Sequence, residues 1–196
     1  MLATRLNKAL STNVLLLAGV TLNAFFSAMI LFVQYIADFT EAIRAIRWMM
    51  GGLDVAGYTP IVAALPFTII AFAAFAFMAR TLNLLSVGTE AAASRGVEVI
   101  RAQRTAFLSA SLATGAAVSL GGPIGFIGII VPHLVRLLVG SDHRIVLPAS
   151  AMFGASFLVL CDLAARTAMA PLEIPVGVVT ALIGGPFFLW LLVKRS

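Results

Sequence analysis

From Val14 to Ile36 the sequence runs for 23 residues without a charged side chain, and no other feature constrains the fold as strongly. In lipid such a segment must satisfy its own backbone hydrogen bonds, which a helix does within one segment. About 20 apolar residues suffice to cross the ~30 Å hydrocarbon core. Five comparable runs follow, at Pro60–Met78, Thr105–Leu120, Pro123–Val139, Ile145–Cys161 and Ile174–Val193. Among them only Pro123–Val139 holds a charged side chain, Arg136. Hydrophobic residues make up 61% of the 196 residues and charged residues 11%, against roughly 45–50% and about 25% in soluble domains. Mean hydropathy is +1.07. That balance excludes a soluble enzyme, a disordered chain and a collagen-like one. It predicts an all-α fold, a polytopic transmembrane helical bundle of about six spans forming one domain over 1–196.

The opening MLATRLNKALSTN places charge before a hydrophobic run, as a signal peptide would. The run is too long for a signal core and ends in no small-residue cleavage site, so it reads as a retained span. Orientation follows from the basic residues. One set of connections and ends holds Arg5, Lys8, Arg80, Arg95, Arg101, Arg104, Arg136, Arg144, Lys194 and Arg195, while the alternate set holds only Arg44, Arg47 and Arg166. This asymmetry predicts both termini in the cytoplasm. It also accounts for the net charge of +5 without invoking nucleic acid.

Two connections carry patterns of their own. In DFTEAIRAIRWMM, residues 38–50, Asp38 and Glu41 stand at capping-box spacing. Phe39, Ile43, Ile46 and Met50 then share one helical face, with Arg44 and Arg47 turned elsewhere, which predicts a short amphipathic helix at the outer membrane surface. Segment 81–104 is long for a bundle connection. Gly88 and Gly96 punctuate it around the helix-favouring stretch Glu90-Ala91-Ala92-Ala93, so it reads as an ordered cytoplasmic docking loop. Within the spans, SASLATGAAVS is rich in small residues and suits close helix packing. GGPIGFIG predicts an unwound start to the fourth run, and Gly184-Gly185-Pro186 either a bend or close packing in the last.

Chemistry is sparse. The sequence has no GxxxxGK[ST], no HExxH and no GxSxG, so it cannot cradle ATP or act as a zinc or serine hydrolase by those devices. The lone Cys161 reads as a small apolar residue, and His133 and His143 read as packing and turn residues. No chain of intramembrane acids suggests a proton relay. Asp162 and Arg166 stand i,i+4, close enough to pair along a helix. Spacing alone favours that pair over an Arg166 presented to a partner's carboxylate. These features point to a conduit powered from outside; an ion-coupled secondary carrier and a membrane scaffold remain as alternatives.

The stretches LSTNVLLLAGV at 10–20, WMMGG at 48–52 and GGPIGFIGIIVPHLVRLLVGSDHR at 121–144 resemble the FecCD-like permeases of bacterial ABC importers. LPASAMFGASFLVLCDLAAR at 147–166 and EIPVGVVTALIGGPFFLWLLVKRS at 173–196 extend the resemblance over nearly the whole chain. Such permeases carry iron-siderophore complexes, haem or vitamin B12 through the inner membrane by alternating access. The family pattern is a homodimer of ten-span subunits, driven by two cytoplasmic ABC ATPase subunits and fed by a periplasmic substrate-binding protein. This sequence matches the last six spans, so the resemblance also admits a fragment or a truncated, non-transporting remnant. It implies no catalytic residue, cofactor or resident metal. By position, it assigns ATPase coupling to Ser86, Gly88, Glu90, Ala91, Ser94, Arg95 and Gly96 within 81–104. It places a cytoplasmic gate at Ser11, Thr12 and Asn13, and it makes Arg166 the binding-protein docking residue.

Overall fold

The computed structural model describes residues 12–195, and these form eight helices and no strand. The chain divides into two compact units, Met1–Ile46 and Arg47–Ser196. The first contains α1, Thr12–Ile36, which holds no charged side chain; α2, Phe39–Met49, runs across the boundary. The amphipathic helix expected at 38–50 is therefore present, with Met50 in the turn just beyond it.

The second unit holds α3 (Thr59–Val87), α4 (Thr89–Ser94), α5 (Val99–Gly121), α6 (Ile127–Val139), α7 (His143–Thr167) and α8 (Val176–Arg195). Its broadest packing is α3 against α5; α3 also meets α4 and α7, and α7 meets α6 and α8. The buried residues of α3 are Ala64, Ala71 and Ala79, and those of α5 are Ser109, Ala116 and Gly121. All are small, and the physical reason is the solvent. Lipid tails are as apolar as leucine, so helices gain by close backbone approach and dispersion rather than by hiding large side chains. The large apolar residues accordingly point outward, among them Phe77, Leu138, Met152 and Val193. A smaller aliphatic cluster joins α6 to α7 through Val131, Val135 and Val146, flanked by Ile127, Ala149 and Phe157.

Each of the six apolar runs becomes a helix. Three helices, Leu16–Ile36, Thr59–Val87 and His143–Thr167, are long and apolar enough to cross a membrane, and Ile127–Val139 and Val176–Leu191 are apolar but shorter. Helix α5 has the length, at 23 residues, but its serines, glycines and Arg101 and Arg104 dilute its apolarity. The unwound start expected at GGPIGFIG is real: 122–126 is non-helical, and Phe126 has φ 66°. One boundary needs correction. Nothing in Thr81–Val87 breaks a helix, so α3 continues to Val87 and the connection shortens from 81–104 to 88–98.

Three glycine-containing segments converge in the second unit. The Gly52 N–H donates to the Gly121 carbonyl at 2.8 Å, and the Gly177 N–H to the Gly51 carbonyl at 3.3 Å. A Cβ on Gly122 would strike the Trp48 carbonyl, and one on Gly177 the Met50 carbonyl. Both obstacles are backbone, which cannot swing aside. Gly122 also has φ +66°, a conformation that side chains strain. Gly122→Ala and Gly177→Ala are each expected to destabilise the fold by more than about 1 kcal/mol, read as a lowered melting temperature in detergent. Gly128→Ala, where an added Cβ meets nothing within 4 Å, should leave the transition in place or raise it.

Candidate functional site

Of the residues expected to carry function, Gly88, Glu90, Ala91, Ser94, Arg95 and Gly96 lie on the 88–98 connection, Ser86 in the last turn of α3 and Arg166 near the end of α7. The connection is built from a stop, one short helix and a second stop. Helix α3 ends where the Gly88 N–H donates to the Leu85 carbonyl at 3.2 Å, and α4 begins at once. Helix α4 closes in a Schellman motif. The Val97 N–H bonds the Ala92 carbonyl at 3.1 Å, the Gly96 N–H bonds the Ala93 carbonyl at 2.9 Å, and Gly96 sits at φ +83°. Ala92 is wholly buried and seats the helix, while Ser86, Glu90, Ser94, Arg95 and Gly96 are exposed and Gly88 and Ala91 half-buried. The seven residues for which an ATPase-coupling role is expected therefore fall in one short, mostly exposed stretch. Ser11 lies outside the described residues, and of Thr12 and Asn13 only the backbone at the start of α1 is described.

At the first end of α7 the structure adds a residue that sequence reasoning missed. Asn83, in the penultimate turn of α3, donates from Nδ2 to Asp142 Oδ1 at 2.6 Å. Its Oδ1 accepts the His143 backbone N–H at 2.8 Å and lies 2.7 Å from His143 Nδ1. A carboxylate only accepts, so the Asn83 amide must face Asp142 with its nitrogen; Nδ1 of His143 then carries the proton. Asp142 also caps α7 by accepting the Arg144 N–H at 2.9 Å. The N-cap was readable from the Asp-His-Arg turn preceding an apolar run; its partner 59 residues away was not. His143 is thus the first residue of α7 rather than a turn residue, and His133 packs its ring edge-on against Phe187 at 6.2 Å.

At the other end, the Arg166 guanidinium bridges two carboxylates. Nε donates to Asp162 Oδ2 at 2.8 Å and Nη2 to Asp54 Oδ1 at 2.7 Å. Spacing anticipated the first bond; Asp54 lies 112 residues away and left no sequence signal. The Arg166 side chain is 40% exposed, so water screens both pairs and they orient the guanidinium rather than hold the fold. The bridge lines an open cleft of about 500 Å³ with Arg47 and Glu173 on its walls. The same cleft borders the glycine convergence through Gly51, Gly52 and Val176.

The backbone hydrogen bond from Arg144, then the Asn83 amide, hold the Asp142 carboxyl below its usual range. A carboxyl with a lowered folded pKa stabilises above its unfolded pKa of about 3.9 and loses that contribution as pH falls through the folded value. The melting temperature should therefore drop between about pH 4 and the onset of acid unfolding. Asp142→Asn should lower the melting temperature at pH 7 and flatten this part of the pH profile. Equal slopes for the two proteins would remove Asp142 from the acid response.

With this geometry described, the chain can be set beside known proteins. The model of the FecCD transport family matches residues 1–194. The hemin transport system permease protein HmuU of Yersinia pestis is 42% identical over 185 residues, covering 92% of this chain and 54% of the relative. The cobalamin import system permease protein BtuC of Halobacterium salinarum is 46% identical over 187 residues, covering 94% and 49%. The chain thus spans about half the length of these curated relatives. A solved structure described as an inward-facing metal-chelate type ABC transporter superposes with a TM-score of 0.83 at 34% identity, covering 96% of this chain and 61% of that one. A multi-pass, all-helical chain matched end to end in this way belongs to the FecCD transport family.

Proposed function

We propose that this chain is membrane-spanning permease sequence of an ABC importer that moves an iron chelate, haem or a corrinoid through the inner membrane into the cytoplasm. The family match across 1–194 carries this reading. It is supported by the absence of a nucleotide-binding motif from the sequence and by the ordered, exposed helix α4 between Gly88 and Gly96. A permease needs no covalent chemistry. It needs a surface on which an ATPase can push and a path that opens alternately to each side. The exposed Ser86, Glu90, Ser94 and Arg95 would offer that surface to one of two ABC ATPase subunits. The basic asymmetry of the connections supports placing this surface and both termini in the cytoplasm.

On the opposite side, the cleft holding Arg166 would receive a periplasmic substrate-binding protein. Arg166 already engages Asp54 and Asp162, but a planar guanidinium has five N–H donors. With Nε and Nη2 engaged, Nη1 remains to meet a partner's carboxylate. Ser11, Thr12 and Asn13 would line the cytoplasmic gate of a path shared with a second permease subunit.

The chain, expressed with the ATPase subunits of its host, is expected to retain them through purification in mild detergent. Deletion of 88–96 should abolish that capture. A well-folded chain that captures no ATPase would instead be a non-transporting remnant, or act as a carrier or scaffold. Arg166→Glu would set a third carboxylate against Asp54 and Asp162. It is expected to weaken binding-protein capture tenfold or more, a loss of about 1.4 kcal/mol, with ATPase capture intact. Unchanged docking would remove Arg166 from that role.

A further inference from the structure

We infer that Asn83 is the positioning residue through which a displacement of the 88–98 connection reaches α7, and through α7 the cleft at Arg166. The inference rests on the reading of 88–98 as the ATPase contact. It stands on the placement of three groups along one mechanical line.

The first is the approach to Asn83. Val87 lies four residues beyond it, one helical turn along α3, and α4 starts immediately after Gly88. The Ser86 hydroxyl donates to the Asn83 carbonyl at 2.7 Å, and the Gly88 N–H to the Leu85 carbonyl, so this last turn is held to its end. A push on α4 is therefore delivered into the turn that carries Asn83.

The second is the clamp itself. The first four N–H groups of a helix lack intrahelical partners. In α7 the Arg144 N–H is capped locally by Asp142, but the His143 N–H is capped by Asn83 from another helix. Asn83 thus joins Asp142, the His143 backbone and the His143 ring, with each of its side-chain polar atoms engaged. No alternative residue of α3 makes a side-chain hydrogen bond to α7 among the described residues. A directional hydrogen bond at a helix terminus resists sliding in a way that nondirectional packing does not.

The third is what α7 carries. Its 25 residues span about 37 Å at 1.5 Å per residue. Near its far end Arg166, oriented by Asp162, holds Asp54, on the loop that follows the Gly51-Gly52 convergence. A helix clamped at one terminus to the α3–α4 corner and bridged near the other to the cleft wall links the two, with Pro148 in its second turn removing one internal hydrogen bond along the way.

The test uses the chain assembled with its ATPase subunits in lipid nanodiscs. Spin labels are placed on two residues that line the cleft by Arg47→Cys and Leu172→Cys in a Cys161→Ala background, and distances are read with and without AMP-PNP. The unaltered Asn83 protein should show a nucleotide-dependent shift in the label distance. Asn83→Ala and Asn83→Asp should each lose at least half of that shift while keeping the ATPase bound. The second sets like charges face to face against Asp142. The pair N83D/D142N exchanges donor and acceptor and should restore the shift, which a merely destabilised variant would not do. A full shift in Asn83→Ala, or a folded N83D/D142N protein that stays unresponsive, would overturn the inference. So would a static cleft in the unaltered assembly. Failure of the unaltered chain to hold any ATPase would instead overturn the importer reading on which the inference rests.

Discussion

The architecture of the larger unit depends on backbone meeting backbone where Trp48–Gly52, Gly121–Gly122 and Gly177 converge. Two backbone hydrogen bonds, Gly52 to Gly121 and Gly177 to Gly51, tie three segments that are far apart in sequence. Peptide groups can approach this closely only where no Cβ intervenes, and an added Cβ at Gly122 or Gly177 would collide with a carbonyl oxygen. The same contacts answer a second demand. The 122–126 stretch is not helical, and irregular backbone in a membrane protein survives only when protein or a water-filled cavity covers it. The convergence buries Gly122 at the head of that stretch, while Pro123 and Gly125 stay exposed in the single chain.

Small residues extend the principle along the helices. The buried alanines of α3 and the buried Ser109, Ala116 and Gly121 of α5 mark the pair with the broadest packing. Gly184 lies directly against the Phe126 side chain, so of the two readings of Gly184-Gly185-Pro186 the structure favours close packing at Gly184. Phe126 itself sits at positive φ, unusual for a bulky residue, and its ring fills the space that a larger residue at position 184 would need. Polar side chains then fasten the ends of the bundle, where directional bonds matter most. Asn83 caps α7 at one terminus and Arg166 bridges the other.

Much of this was legible in the residues. The six apolar runs, the amphipathic helix before Gly51, the punctuation of α4 by Gly88 and Gly96 and the i,i+4 pair of Asp162 with Arg166 all follow from local periodicity, capping and spacing. The 81–104 connection is shorter than its polar and charged residues suggest, because nothing between Thr81 and Gly88 breaks the helix. Asp54 and Asn83 escaped detection for a different reason. Each acts on a partner more than 50 residues away, and nothing local distinguishes a carboxylate or amide that will find such a partner from one that will face water.

The sequence by itself determined the solvent of this protein, its secondary structure and its family, since apolar run length, helix punctuation and motif order are properties of neighbouring residues. Only the tertiary structure decided which glycines touch, which carboxylates share Arg166 and which side chain caps α7. Those outcomes are set by the directions in which packed helices bring distant residues together, and no local pattern encodes a direction in space.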